Sequence, residues 1–97
     1  MRGMTPPLVA TVGPGFTISL KSSSGALVRR LRPGTYTIRV LDRSGDHDFH
    51  LSGPGVDEAT SVLFKGTKTW KVTLRTGRYV YKCDPHEIIM KGSFRVG

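Results

Sequence analysis

An all-β chain folded as a Greek-key β-sandwich of seven or eight short strands is what this sequence predicts, on three observations. Apolar and polar residues alternate with a period of two through most of its segments. Turn-forming Gly, Pro, Ser and Asp clusters separate those segments at short, regular intervals. No stretch of any length carries the 3.6-residue apolar period of a helix, which leaves a sandwich or barrel as the way to bury the apolar faces. With 97 residues the chain is long enough for one core and too short for two, so the expected division is a flexible N-terminal tail over 1–7 and a single domain over 8–97. Hydrophobic residues make up 37% and charged residues 23%, the balance of an ordinary globular domain and not of a disordered or fibrous one.

The elements follow in order. Leu8 to Val12 forms a first short strand, ended by Gly13-Pro14-Gly15. Phe16, Ile18 and Leu20 then alternate with Thr17, Ser19 and Lys21, placing the three apolar side chains on one buried face. A serine-rich turn leads to an edge strand over Ala26 to Leu31, closed by Arg32-Pro33-Gly34. Tyr36, Ile38 and Val40 face one way in the next strand, and Thr37, Arg39 and Leu41 the other. After a polar turn over Asp42 to Asp46, alternation puts His47, Phe49 and Leu51 on the apolar face and points Asp48, His50 and Ser52 away. Beyond the Gly53-Pro54-Gly55 loop, Val56 to Thr60 has room for one helical turn. Val62 and Phe64 make a brief strand, Lys65-Gly66 a turn, and Trp70, Val72 and Leu74 another strand. Thr76-Gly77 turns into Tyr79, Tyr81 and Cys83, which share a face, and the chain closes with Phe94 and Val96 alternating against Ser93 and Arg95. There is no internal repeat or low-complexity segment.

Several classes of function are excluded. No run of residues approaches a membrane span, and Pro6, Pro7, Gly13, Pro14 and Gly15 break any apolar core of a signal peptide, so an exported form would have lost its signal. One cysteine excludes an internal disulfide and leaves a free thiol to be explained. Fifteen Lys and Arg against seven Asp and Glu give a formal charge of +8, which favours acidic partners. The basic residues are spread along the chain without a recognition helix, an RNA-binding aromatic motif or a zinc finger, so no nucleic acid is expected. Neither a Ser-His-Asp order nor a glycine-rich phosphate loop is present, and the chain is read as a non-enzyme with no catalytic residues.

The chemistry concentrates in Gly77-Arg78-Tyr79-Val80-Tyr81-Lys82-Cys83-Asp84-Pro85-His86-Glu87-Ile88-Ile89-Met90. Thiolate, imidazole and thioether within eight residues form a soft, mixed donor set that suits copper cycling between two oxidation states better than zinc, magnesium or calcium. Pro85 cannot donate a ladder hydrogen bond, so it stops the strand and forces a loop that turns His86 back toward the thiol and brings Met90 in from another direction. His47, inward by strand parity, completes a set of four from a segment distant in sequence. Phe49, Leu51, Ile88, Ile89 and Phe94 are expected to form an apolar shell that excludes water.

The pattern Gly-x-Tyr-x-Tyr-x-Cys-Asp-Pro-His-x-x-x-Met-x-Gly-x-Phe resembles the C-terminal signature of the cupredoxins, the plastocyanin, azurin and amicyanin superfamily, and His-x-Phe-His-Leu-x-Gly-Pro-Gly-Val resembles the first-histidine segment of small bacterial members. The resemblance runs from about Leu8 to Val96. It implies a type 1 (blue) copper site with His47, Cys83, His86 and Met90 as the metal ligands, one copper cycling between Cu(I) and Cu(II), electron exit through His86 near the surface, and a periplasmic or otherwise extracytoplasmic setting. One position departs from the family pattern. The first histidine is usually followed by Asn, and here it is Asp48, whose carboxylate, unless protonated or paired with a nearby Lys or Arg, would favour Cu(II) and lower the potential.

Blander roles compete for several residues. His50 is the alternative to His47 as ligand, with outward parity that suits an exposed residue or a hydrogen-bond partner of the site. Asp84 and Glu87 read as solvated charges, Tyr79 and Trp70 as core aromatics, and Tyr81 as core or as a tyrosine corner. Lys65, Lys68, Lys71, Arg75, Arg78, Lys82 and Lys91 together offer a docking surface for an acidic redox protein. The expected function is a monomeric carrier of single electrons. The alternatives are copper storage or delivery with the same ligands, or an electron-feeding domain of a larger copper enzyme.

Overall fold

The computed structural model describes residues 7–13, 15–43, 47–60, 65–86 and 88–97. Nine strands appear among them: β1 (Leu8–Val12), β2 (Ile18–Lys21), β3 (Arg30–Leu31), β4 (Gly34–Asp42), β5 (His50–Gly53), β6 (Val56–Ala59), β7 (Gly66–Leu74), β8 (Gly77–Lys82) and β9 (Lys91–Val96). They form two sheets, ordered β2-β1-β4-β7 and β3-β9-β8-β5-β6. The Greek-key sandwich is therefore present, with each sheet mixed and not wholly antiparallel. β1 runs parallel to β4 and β3 parallel to β9, because the chain crosses between sheets before it returns beside an earlier strand. No helix among the described residues is long and apolar enough to cross a membrane.

The alternating pattern explains which faces meet. Leu8, Ala10 and Val12 on β1, Leu20 on β2, Ile38 and Val40 on β4 and Val72 and Leu74 on β7 are buried from the first sheet. Phe49, Leu51, Tyr79, Tyr81, Phe94 and Val96 meet them from the second. Aromatic rings line that second inner face: Tyr79 stacks on Phe94 at 5.3 Å and Phe49 on Tyr81 at 5.4 Å. Tyr81 also covers Gly92, its cross-strand partner, where an added Cβ would lie 2.4 Å from the ring. That close approach is why a glycine stands near the start of the last strand.

Several local expectations need correction. Val56–Ala59 is strand β6, paired with β5, and not a helical turn; the edge of the sheet offered its backbone groups a ladder that a single helical turn lacks. Only Arg30–Leu31 of the segment from Ala26 is strand, with Leu27 in an isolated bridge to Lys21. β7 begins at Gly66, where the sequence predicts a turn. His47, Asp48 and Phe49 precede β5 instead of lying in it; Phe49 and Thr60 exchange bonds, Phe49 N–H to Thr60 Oγ1 at 2.9 Å and Thr60 N–H to Phe49 O at 3.1 Å. The tyrosine corner belongs to Tyr79, whose hydroxyl bonds the Arg75 backbone four residues upstream, and not to Tyr81. The expected strand at Val62 and Phe64 and the tail through Pro6 lie outside the described residues.

Candidate metal centre

The site is built where β8 ends. Cys83 follows the last residue of that strand and is fully buried. Pro85 lies in a single 3₁₀ turn, Asp84–His86, that replaces the ladder. The chain then folds over itself: His86 N–H donates to Cys83 O at 2.9 Å, Met90 N–H to His86 O at 2.8 Å, and Cys83 N–H to Met90 O at 3.0 Å. These bonds set Cys83, His86 and Met90 in one compact loop, with Met90 fully buried. His47, 4% exposed, enters from the segment before β5.

Three of the four expected ligands bring their donor atoms to one point. His47 Nδ1 and His86 Nδ1 lie 3.1 Å apart, and Cys83 Sγ lies 3.6 and 3.5 Å from them. The point equidistant from the corners of that triangle is about 2.0 Å from each, the length of a metal–imidazole bond and a few tenths of an ångström short of a metal–thiolate bond at about 2.3 Å. Two imidazoles and one thiolate are also the donor set of a His₂Cys trigonal copper site. The residues present fit a copper ion. Burial pushes the Cys83 thiol above its usual range, while the Asp48 and His86 backbone N–H groups work against that by favouring the thiolate. A cation between the two rings is what would carry the balance to the thiolate.

Around the donors the structure departs from the expected shell. Phe49, Leu51 and Phe94 are buried, but Ile88 and Ile89 are 92% and 61% exposed. They lie on the surface beside the half-buried His86. Phe16 takes part of the covering role, away from the inner face that alternation with Ile18 and Leu20 predicts for it. It precedes β2 on an exposed bend, after two glycines with left-handed φ of 73° and 72°, Gly13 and Gly15. From there its ring meets His86 at 5.1 Å and His47 at 5.6 Å. The paired glycines of Gly13-Pro14-Gly15 are the available sign that the chain leaves the strand path before Phe16.

Asp48 is buried at 2% exposure and does not point to solvent. Its Oδ1 accepts the Asp84 N–H at 2.6 Å, tying the His47 segment to the residue after Cys83. Burial raises its pKa, and the neighbouring Asp84 carboxyl adds to the effect. Asp84 is not a free surface charge. Burial would raise its pKa, but its contacts with Asp48 and His50 outweigh that and lower it. His50, the alternative ligand, points away from the donor triangle and sits between Asp57 and Asp84.

A mixed Greek-key sandwich with two histidines and a cysteine converging at the end of a central strand has the cupredoxin fold. Among solved structures, reduced rusticyanin superposes with a TM-score of 0.69 at 21% identity over 100% of this chain and 82% of that one. Rusticyanin from Thiobacillus ferrooxidans gives 0.65 at 23% identity over 99% and 79%, and an oxidised amicyanin variant 0.59 at 18% over 98% and 83%. Rusticyanin is described as a copper protein. No family model and no curated protein matches the chain. At these identities the likeness carries the fold, and the chemistry of the site rests on the residues described above.

Proposed function

We propose that this chain is a type 1 copper protein that carries single electrons, with one copper ion held by His47, Cys83, His86 and Met90. The observation that carries the reading is the buried triangle of His47 Nδ1, His86 Nδ1 and Cys83 Sγ, set on a cupredoxin sandwich. Bound copper supplies one-electron chemistry by cycling between Cu(I) and Cu(II). The chain's own residues do the rest. Two segments far apart in sequence fix the donors on a hydrogen-bonded framework, so little rearrangement accompanies a change of charge. Met90, buried at the closing end of the loop, would supply the weak fourth ligand. Phe16, Ile88 and Ile89 surround the half-buried His86 with an apolar rim, which favours that ring as the electron exit. No open coordination position is needed, in keeping with a carrier and not an enzyme. The extracytoplasmic setting implied by the family resemblance and the expected monomeric state belong to the same proposal.

The partner we assign is an acidic redox protein. Arg78 stands opposite Arg95 and Lys82 opposite Lys91 across β8 and β9, with Arg30 beside Arg95. Like charges directly opposite on a sheet are destabilising; Lys82 has the Asp84 carboxylate at 3.9 Å, and a negatively charged surface docked on this face would relieve the repulsion that remains among the arginines.

The test is to add Cu(II) to purified protein and record visible and EPR spectra of the wild type and of Cys83→Ser. An intense thiolate-to-copper charge-transfer band, saturating at one copper per chain and absent from the variant, is expected. A wild type that develops no such band refutes the proposal.

A further inference from the structure

We propose that His50 is a positioning residue for this site: its ring, protonated on both nitrogens, clamps β6 to the ligand loop and, through Asp84, holds the His47 and Cys83 segments in register. The proposal rests on the copper reading for its functional consequence and on hydrogen-bond geometry for the clamp. His50 Nδ1 lies 3.0 Å from both carboxylate oxygens of Asp84, and Nε2 lies 2.5 Å from Asp57 Oδ1. A neutral imidazole has one N–H and one lone pair, so either tautomer would set a lone pair against a carboxylate. Only the imidazolium donates on both sides, and both hydrogen bonds are then charge-assisted.

The clamp reaches the metal centre through the backbone. Asp84 follows Cys83, and its N–H donates to Asp48, the residue after His47. The path Asp57, His50, Asp84, Asp48 thus joins the edge strand β6, strand β5 and both ligand-bearing segments without including a ligand. The charged groups facing His50 are Asp57 from β6, Asp84 from the loop and, across the ladder on β8, Lys82, whose Nζ is 3.9 Å from Asp84. Asp48 lies beyond Asp84. Burial would lower the pKa of His50, but the two carboxylates outweigh it and raise it above the ordinary histidine value. Loss of that proton removes one positive charge near the donors. The potential should therefore fall as pH rises through the His50 titration, and by linkage reduction should tighten the hold on the proton.

Two measurements test this. In copper-free protein, ¹⁵N NMR of the histidine rings and of the Asp84 amide across a pH series reads the clamp itself. In copper-loaded protein, the midpoint potential against pH is compared for wild type, His50→Gln and Asp57→Asn, the last at a side chain 78% exposed and so safe for folding. The expected result is a His50 ring with two N–H groups at pH 7 and an Asp84 amide that follows its titration. The wild-type potential then falls over that range, His50→Gln is flat there, and Asp57→Asn moves the fall to lower pH. A neutral His50 at pH 7, or full pH dependence retained in His50→Gln, overturns the proposal. If the clamp is seen by NMR but no charge-transfer band forms with copper, the copper reading falls and His50 remains a clamp on the loop that carries Cys83.

Discussion

Removing the Tyr79 hydroxyl separates the scaffold from the site. Tyr79 is fully buried in β8, with its ring stacked on Phe94. Its hydroxyl donates to Pro54 O at 2.7 Å and accepts the Arg75 N–H at 3.0 Å, so one oxygen joins the β5–β6 turn to the β7–β8 turn. Tyr79→Phe keeps the ring and deletes both bonds. A net hydrogen bond is worth about 1 kcal/mol, and a half-buried carbonyl left without its donor adds to the loss. The Arg75 N–H is likewise part-buried and loses its acceptor. The expected destabilisation is about 1–2 kcal/mol, or about 4–8 °C in Tm for each kcal/mol in a domain of this size. Tyr79 also lies four residues before Cys83, about 13 Å along an extended strand at about 3.3 Å per residue. The variant should therefore lose stability in urea and thermal melts while its copper spectrum stays that of the wild type. A stability change below about 0.3 kcal/mol would show that the two turns do not depend on this hydroxyl. An altered spectrum would show that the two ends of β8 are not independent.

Two further outcomes concern charge near the site. Asp48→Asn keeps an oxygen to accept the Asp84 N–H and removes a buried carboxylate beside the ligands. The midpoint potential should rise by a shift on the order of 1 kcal/mol, roughly 40 mV for one electron, and redox titration that finds it unchanged or lowered refutes the role given to this carboxylate. Electron transfer to an acidic partner should slow by about tenfold or more between low ionic strength and about 0.15 M salt, and again in an Arg78→Glu, Arg95→Glu double variant. Stopped-flow rates indifferent to both changes would remove the basic face of β8 and β9 from the docking surface.

Much of this was legible in the order of residues. Period-two alternation placed Ile38, Val40, Val72, Leu74, Tyr79 and Tyr81 on buried faces because each strand packs one side against the other sheet. The spacing of Cys83, Pro85, His86 and Met90 marked a strand end and a loop because a proline cannot continue a ladder. The donor triangle contains His47, the histidine that parity reads as inward, but His47, Asp48 and Phe49 all precede β5 and are all buried, so it is the segment's path and not strand alternation that turns His47 inward. Alternation failed where the backbone leaves the strand path, at Phe16 and at Asp48, because the period of two holds only while the ladder holds. Apolar character alone likewise misjudged Ile88 and Ile89, which share the loop with buried Met90 but face outward.

What the chain by itself determined, then, was the class of fold and the chemical character of the site, since both depend on local pattern: alternation, turn chemistry and the kinds of donor atom near one strand end. Only the tertiary structure decided which groups meet across long separations in sequence. Crossing between sheets set β1 beside β4 and β3 beside β9. It also brought Asp48 and His50 to Asp84, and Phe16 over the two histidines, while Asp57 reaches His50 within the β5–β6 hairpin. Each of these contacts joins residues from different strands or loops, and no local periodicity records a partner on another strand.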